Sequence, residues 1–231
     1  MGYGASKYIA ERLLDYAGER LHLDVRIARV GQIAGPIDRP GNWNRWEWLP
    51  SLVISSISLG FLPSSLGSSW DKIDWLPIDV LAEVLTGLTI APKSELITTS
   101  HELNQTVVFH PTNPNTTTWE NLLPGVLRAV GSIPSPVITR PIDIITFQEW
   151  LQKIVDERDT ASKGDHYKEC IVRVPAIKLL DFYESLANGR KTPGLENEKT
   201  VAASAALRNA KAIKDEWIEG WTKSWLMPSD S

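Results

Sequence analysis

Apolar residues recur at helical spacing near the start of the chain, with Ile9, Ala10, Leu13, Leu14 and Tyr16 or Ala17 lying between Ala5 and Gly18. That period predicts an amphipathic helix with Glu11 and Arg12 facing outward and Gly18 as its stop. The pattern then changes. Asp24 to Ile33 is a near-continuous apolar run with Val25, Ile27, Ala28, Val30 and Ile33. It predicts a strand buried on both faces, as in a parallel sheet, ended by Gly31, Gly35 and Pro36. Leu49 to Leu59 returns to helical spacing. Ile73 to Ile78 reads as a short strand, and Asp79 as the N-cap of a helix over Val80 to Leu88, with a catalytic aspartate as the alternative role. Gln105 to His110 is β-rich again.

Beyond a Pro/Asn/Thr-rich loop at 111–117, helices dominate. One is capped by Thr117 or Thr118 and runs to about Val130. A second covers Thr146 to Asp156, with Phe147, Trp150, Leu151 and Ile154 on one face. Others cover Ala176 to Ala187 and Asp215 to Leu226. In the last, Trp217, Trp221 and Trp225 fall at i, i+4 and i+8, a stripe that predicts core packing. Ser132 to Pro136 and Asn188 to Gly194 are breaks, Val137 to Pro141 an extended piece, and Thr160 to His166 a polar, mobile stretch. Strand and helix alternate early and helices follow, so the pattern predicts an α/β piece joined to a mostly helical subdomain.

Composition narrows the function classes. The 231 residues are 42% hydrophobic and 23% charged, which excludes wholesale disorder. The 24 basic and 28 acidic residues give a net charge of −4, so nothing drives binding to a nucleic-acid backbone. A single cysteine, Cys170, excludes an internal disulfide or a multi-cysteine zinc site and suits a reducing compartment. His22, His101, His110 and His166 are scattered without metal-ligand spacing, so no metal is expected. His110 reads as structural rather than as a general base. No run approaches the ~18 apolar residues of a membrane span, and no secretory signal opens the chain, so a cytoplasmic location is expected.

The candidate chemistry lies at the start. Tyr3 and Lys7 are four residues apart and share a helix face. An ammonium beside a phenol favours the phenolate and readies such a pair for proton transfer to an alkoxide. Among the five tyrosines only Tyr3 has a lysine four residues on. Val30 to Ile33 stand at the carboxyl end of the predicted strand, where ligands of open α/β sheets bind; a plain strand-to-loop exit is the other reading. Three tryptophans, Trp43, Trp46 and Trp48, crowd the loop at 37–48. Such anchors border a ligand channel or cover the core. The serines of the following helix sit in no Gly-x-Ser-x-Gly elbow and need no catalytic role.

The run Gly2-Tyr-Gly-Ala-Ser-Lys7-Tyr-Ile-Ala-Glu11 resembles the catalytic helix of the extended short-chain dehydrogenase/reductases. More narrowly, the chain resembles the thioester reductase domains of nonribosomal-peptide-synthetase-like enzymes, carboxylic acid reductases and some polyketide synthases. Further segments carry the likeness: Arg26-Ile-Ala-Arg-Val-Gly-Gln-Ile-Ala-Gly-Pro36, Asp74-Trp-Leu-Pro-Ile-Asp79, and Phe109-His-Pro-Thr-Asn-Pro114 followed by Trp119. The resemblance implies the C-terminal part of a Rossmann-type fold lacking its first strands, plus a mostly helical substrate subdomain. Residues 1–36 and 73–112 would belong to the dinucleotide-binding domain, and 37–72 and 113–231 to the substrate subdomain. It also implies Tyr3 and Lys7 as catalytic residues, and Tyr3, Lys7, Val30, Gln32 and Ile33 as contacts to NADPH. The implied partner is an acyl-phosphopantetheinyl carrier protein, whose thioester would be reduced to aldehyde or alcohol. The family's Gly-x-x-Gly-x-x-Gly phosphate loop and its upstream catalytic Ser or Thr have no match here. A separate N-terminal reductase half is therefore a further expected partner. The alternatives are a catalytically incomplete fragment acting as an interaction module, and another extended family member such as a nucleotide-sugar epimerase.

Overall fold

The computed structural model describes residues 2–38, 41–67, 70–96, 106–133, 141–163, 167–189 and 194–227. The chain divides into two compact units. The first comprises Met1–Ala34, Asp74–Asn115 and Gly194–Ala212, and the second Gly35–Ile73, Thr116–Pro193 and Ile213–Ser231.

The first unit opens with helix α1 (Gly2–Leu21). The expected strand over 24–33 is two shorter ones, β1 (Arg26–Ala28) and β2 (Ile33–Ala34). Each pairs in parallel with one later strand: β1 with β6 (Val107–Phe109), and β2 with β5 (Leu76–Pro77). The stretch between β1 and β2 leaves the ladder, where Gly31 N–H donates to Pro111 O at 3.2 Å. Gly31 is required there, because a Cβ would lie 2.8 Å from Thr112 Cγ2. β1 is half-buried rather than buried on both faces, since it has a single strand neighbour among the described residues.

Helix α3 (Ile78–Ile90) packs its Leu81, Val84 and Leu88 face on Leu76, Val107 and Phe109. Leu207 and Ala210 close the same core, Leu207 from the short helix α10 (Ala205–Arg208). Residue Asp79 is not the cap of α3. Pro77 holds that position, and Asp79 lies in the first turn accepting from Val80 N–H at 3.1 Å. The preceding proline fixes the chain entry, so the helix starts two residues earlier than the aspartate implies. At the other end of α3, Arg26 donates to the carbonyls of Leu88 (2.5 Å) and Ala91 (2.8 Å), a cation on the negative end of the helix. Asp24 pairs with both Arg26 and Lys93, and the Arg26 guanidinium holds its carboxyl below the usual range.

The second unit is mostly helical. Helix α2 (Trp48–Leu59) is buried along nearly its whole length and ends at Gly60, whose φ of 79° is the left-handed turn that glycine tolerates. Its buried serines act as connectors. Ser56 Oγ accepts from Trp150 Nε1 at 2.8 Å, and Ser55 Oγ accepts from Ala176 N–H at 3.0 Å. Strand β3 (Phe61–Pro63) pairs in parallel with β8 (Asp143–Ile145), and β4 (Lys72–Ile73) antiparallel with β7 (Thr117–Thr118). The run 73–78 is thus two strands, β4 and β5, rather than one.

Helix α5 (Trp119–Gly131) is capped by Thr118, and α6 (Phe147–Ala161) by a Thr146/Glu149 capping box, both on the expected threonines. Helix α6 continues to Ala161 and takes in residues expected to be loose. Residues 176–187 are not one helix. A 3₁₀ turn (Pro175–Leu179) precedes α8 (Leu180–Ala187), because Pro175 starts the segment and its N–H bonds close at i→i+3. The extended piece expected at 137–141 lies almost wholly outside the described residues.

Helix α11 (Asp215–Leu226) has the expected bounds and lies against α5. The approach is close enough that a Cβ on Gly125 would collide with the Asp215 carbonyl oxygen and lie 2.8 Å from Ile218 Cγ2. Gly125→Ala is therefore expected to cost about 3 kcal/mol, the upper end for overpacking, because backbone must move. A thermal melt checks this; an unchanged midpoint would mean that the two helices separate freely. Arg128 on α5 spans Asp215 and Glu219 at 2.8 Å each; it lowers the Asp215 carboxyl pKa, and Lys223 together with Arg128 lowers that of Glu219. Trp221 and Trp225 are buried beside Trp43, with edge-to-face ring distances of 5.3 and 5.5 Å. Trp48 is buried as well, whereas Trp46 is 44% exposed beneath the Arg45 and Lys178 cations. Of the three loop tryptophans, two therefore serve the core.

No helix among the described residues is long and apolar enough to cross a membrane.

Candidate active site

The site is built in the first unit, from the carboxyl ends of two parallel strands and the helix that precedes them. β1 and β6 run side by side with Ala28 opposite Phe109. Beyond the ladder the chains stay joined: Arg29 N–H donates to Phe109 O at 2.8 Å, and Gly31 N–H to Pro111 O. Val30, Gln32 and Ile33 occupy this exit and are all half-buried. Gln32 donates its side-chain amide to Ile33 O at 2.7 Å, and its own carbonyl accepts from Leu76 N–H at 3.0 Å. Such an exit is where open α/β sheets hold ligands.

Tyr3 and Lys7 lie on the first two turns of α1. The Lys7 ammonium stands 5.3 Å from the centre of the Tyr3 ring, and both side chains reach solvent, Tyr3 with 77% of its surface exposed. The structure thus brings these two together, and separately gathers Val30, Gln32 and Ile33. Glu11, one turn beyond Lys7, connects the two groups. Its carboxylate accepts from Arg29 Nε at 3.0 Å and from Arg29 Nη2 at 2.6 Å. The guanidinium lowers the Glu11 carboxyl pKa, while the carboxylate raises that of Arg29.

This link corrects the outward placement of Glu11. Residues 2–10 are all exposed, and Glu11 is the first that is not. The apolar stripe of α1 is likewise not core. Ile9, Leu13, Leu14 and Tyr16 are exposed, because no element of the described chain lies over them. The helix is held instead at Gly18, where a Cβ would lie 3.0 Å from Thr106 Oγ1 and 3.6 Å from Val25 Cγ2.

The segment after β6 is held in place by long-range hydrogen bonds. Asn113 is buried, donating its amide to Trp75 O at 3.1 Å and to Lys211 O at 2.8 Å, and accepting from Asn115 N–H at 3.0 Å. Its backbone N–H donates to Asp74 O. His110 donates from Nδ1 to Glu196 O at 2.8 Å, since a carbonyl only accepts, and its backbone N–H donates to Thr200 Oγ1. These contacts hold the imidazole at the strand end, with its Nε2 buried and without a hydrogen-bond partner among the described residues. The spacing of Asn113 and His110 announced none of these partners, which come from residues 75 and 196–211.

Comparison with known proteins follows the geometry. Residues 1–85 match the family model described as Male sterility protein, an NAD-binding domain family. The chain is 34% identical over 231 residues to a carboxylic acid reductase from Neurospora crassa, covering 97% of this chain and 20% of that protein. It is 27% identical to the adenylate-forming reductase Nps11 of Serpula lacrymans, covering 97% of this chain and 19% of that one. Its fold matches the solved reductase (R) domain of a Mycobacterium tuberculosis nonribosomal peptide synthetase with a TM-score of 0.66 at 21% identity, over 97% of this chain and 51% of that one. The chain therefore spans about a fifth of the curated relatives it matches and about half of the solved domain. Residues 1–85 thus match an NAD-binding family, the chain is similar in sequence to part of a carboxylic acid reductase and of an adenylate-forming reductase, and its Rossmann-like fold is that of solved reductase (R) domains.

Proposed function

We propose that this chain contributes the proton donor and one wall of the cofactor crevice in an NADPH-dependent reductase. Its substrate is an acyl thioester carried on the phosphopantetheine arm of a carrier protein. The observation that carries the reading is the joining of Tyr3 and Lys7 to the carboxyl end of β1 through Glu11 and Arg29. The residues suit the cofactor in two respects: a strand exit of half-buried Val30, Gln32 and Ile33, and the exposed ammonium of Lys7 on α1. The relatives are named a carboxylic acid reductase and an adenylate-forming reductase, and the fold is shared with the reductase (R) domain of a nonribosomal peptide synthetase, which supports a reductase reading.

NADPH, when bound, supplies a hydride to the thioester carbonyl carbon. The Tyr3 hydroxyl then donates its proton to the carbonyl oxygen as negative charge develops there, giving a hemithioacetal. The Lys7 ammonium, 5.3 Å from the ring, stabilises the phenolate left behind. Collapse of the hemithioacetal breaks the C–S bond, releasing the aldehyde and returning the thiol to the carrier arm. Lys7 also meets the ribose hydroxyls in this reading, and Val30, Gln32 and Ile33 face the nicotinamide.

The exposed apolar side chains of α1 and the single-neighboured edge of β1 favour one addition. Further Rossmann strands, the N-terminal reductase half, cover that face and bring the phosphate-binding loop. Titration of the chain with NADPH, alone and with such a half, followed by the loss of nicotinamide absorbance on adding an acyl-phosphopantetheine thioester, tests the reading. Binding with Kd in the range of about 1 μM to 1 mM and stoichiometric NADPH consumption are expected. A folded pair that neither binds NADPH nor consumes it overturns the reading.

A further inference from the structure

We propose that Arg45, Trp46 and Lys178 seat the phosphopantetheine arm of the substrate, the two cations meeting its phosphodiester and the indole its apolar chain. This rests on the carrier-bound thioester reading given above. Trp46 is the one tryptophan of the 43–48 loop that the core does not use, with 44% of its surface open. Two cations share its ring. The Lys178 ammonium stands 4.6 Å from a ring centre and the Arg45 guanidinium 5.6 Å. Such placement uses the negative face of the indole, and an anion bound to both cations relieves their mutual repulsion. Neither cation pairs with a carboxylate among the described residues, and the Arg45 Nε is buried without an acceptor there. Glu47, beside them in sequence, accepts instead from Trp43 Nε1 at 2.8 Å.

The seat rests on fixed backbone, and its two halves come from separate segments. On the loop, Trp43 and Trp48 are buried on either side of Trp46, whose N–H donates to Asn44 Oδ1 at 3.1 Å. The Arg45 carbonyl accepts from Ser51 Oγ at 3.3 Å. Lys178 lies on the 3₁₀ turn, where Ala176 N–H donates to the buried Ser55 Oγ of α2 at 3.0 Å. The same two segments meet again just beyond. The Phe182 ring lies 5.8 Å from that of Trp48, and the Tyr183 hydroxyl donates to Trp48 O at 2.5 Å. A base held in this way limits the conformational freedom lost when a ligand docks.

The chemistry selects the occupant. A phosphodiester carries one negative charge on oxygens that accept from a guanidinium and an ammonium alike. The pantetheine chain attached to it is apolar between its amides, which suits an indole face. NADPH, the other phosphate-bearing ligand of the reading, is assigned to the strand exit of the first unit. All three residues of the seat, and the contacts that support them, lie within the second unit.

The test measures kcat and KM of the full reductase with three substrates: an acyl-phosphopantetheine thioester, the matching pantetheine thioester without phosphate, and the carrier-bound thioester. The variants are Arg45→Gln, Lys178→Gln, the double variant and Trp46→Ala, each with its melting temperature. With the phosphorylated thioester, each single charge change should raise KM roughly tenfold and leave kcat nearly unchanged, the mark of a binding contact. With the unphosphorylated thioester the shift should be far smaller. The double variant should therefore erase most of the wild-type preference for the phosphate, and added salt should weaken that preference too. Trp46→Ala should raise KM for both thioesters, because the indole meets the chain rather than the phosphate. Lys178 is exposed, so Lys178→Gln keeps the test open should Arg45→Gln fold poorly. KM shifts that are absent, or equal with and without the phosphate, would overturn the seat. Shifts confined to the carrier-bound thioester would overturn it as well and assign these cations to the carrier surface. In each of these cases wild-type turnover leaves the reductase reading standing. A wild-type enzyme that turns over none of the three thioesters overturns that reading and the seat with it.

Discussion

Replacing Tyr3 by phenylalanine should lower the rate of NADPH-dependent thioester reduction by about 10²–10⁴-fold, the contribution of a positioned general acid. The change deletes one oxygen. The aromatic ring under the Lys7 ammonium stays, so the ring-to-cation contact at 5.3 Å is kept and the helix is undisturbed. Tyr3 is exposed and buries nothing, so melting temperature should not move. The loss should appear in kcat, because the proton is needed only as charge develops on the carbonyl oxygen, while NADPH binding is retained. Lys7→Ala is the informative companion. It removes the charge that steadies the phenolate and, in the proposed reading, a ribose contact, so both kcat and the affinity for NADPH should fall. A Tyr3→Phe enzyme with full turnover would remove Tyr3 from the mechanism whatever the resemblance implies.

Trp221→Ala should cost about 3–5 kcal/mol of stability, the range for emptying a buried tryptophan site. Its indole is nearly fully buried, donates from Nε1 to Pro36 O at 2.8 Å, and meets Trp43 edge to face. Gly35 lies so close that a Cβ there would come within 2.6 Å of the ring. Removing the indole therefore leaves a cavity beside a residue with no side chain to fill it, and orphans a carbonyl. For a chain of this size the melting midpoint should fall by roughly 10 °C. Trp46→Ala is the control. With 44% of its surface open, it should shift stability by no more than about 0.5 kcal/mol. Comparable melting of the two variants would mean that the tryptophan stripe of α11 is not the core element its burial makes it.

Buried hydroxyls follow the same logic elsewhere in the second unit. The Tyr183 phenol, pushed well above its ordinary pKa by burial, donates to Trp48 O at 2.5 Å and packs edge to face on Trp150. Cys170 is buried beside Glu157 and Arg173, and burial raises its thiol pKa, which leaves it protonated and unreactive at neutral pH. Neither group shows the environment of a nucleophile.

Elements whose signals are local were legible from the residues alone. Helix α11 has the bounds its tryptophan period implies, and α5 and α6 start on the threonines expected to cap them, because a cap is a contact between residues three apart. Tyr3 and Lys7 were legible for the same reason: four residues on one helix place them together. Where an outcome depended on distant chain, the sequence pattern misled. The run 24–33 is apolar throughout, yet it splits, because the loop after β6 takes up Gly31 and draws the chain from the ladder. Helix α1 carries a fully amphipathic period but little burial, since periodicity describes a face and not what covers it. Glu11 read as a solvent-facing charge because its partner, Arg29, is 18 residues away and is brought near only by the turn between α1 and β1. Asn113 and His110 find their partners 38 to 98 residues off. Sequence by itself thus determined the bounds of α11, the caps of α5 and α6 and the juxtaposition of Tyr3 and Lys7, all products of short-range geometry. Tertiary structure alone decided which faces are covered and how the Tyr3–Lys7 helix is held to the sheet, because burial and ion pairing depend on which distant segments the fold brings into contact.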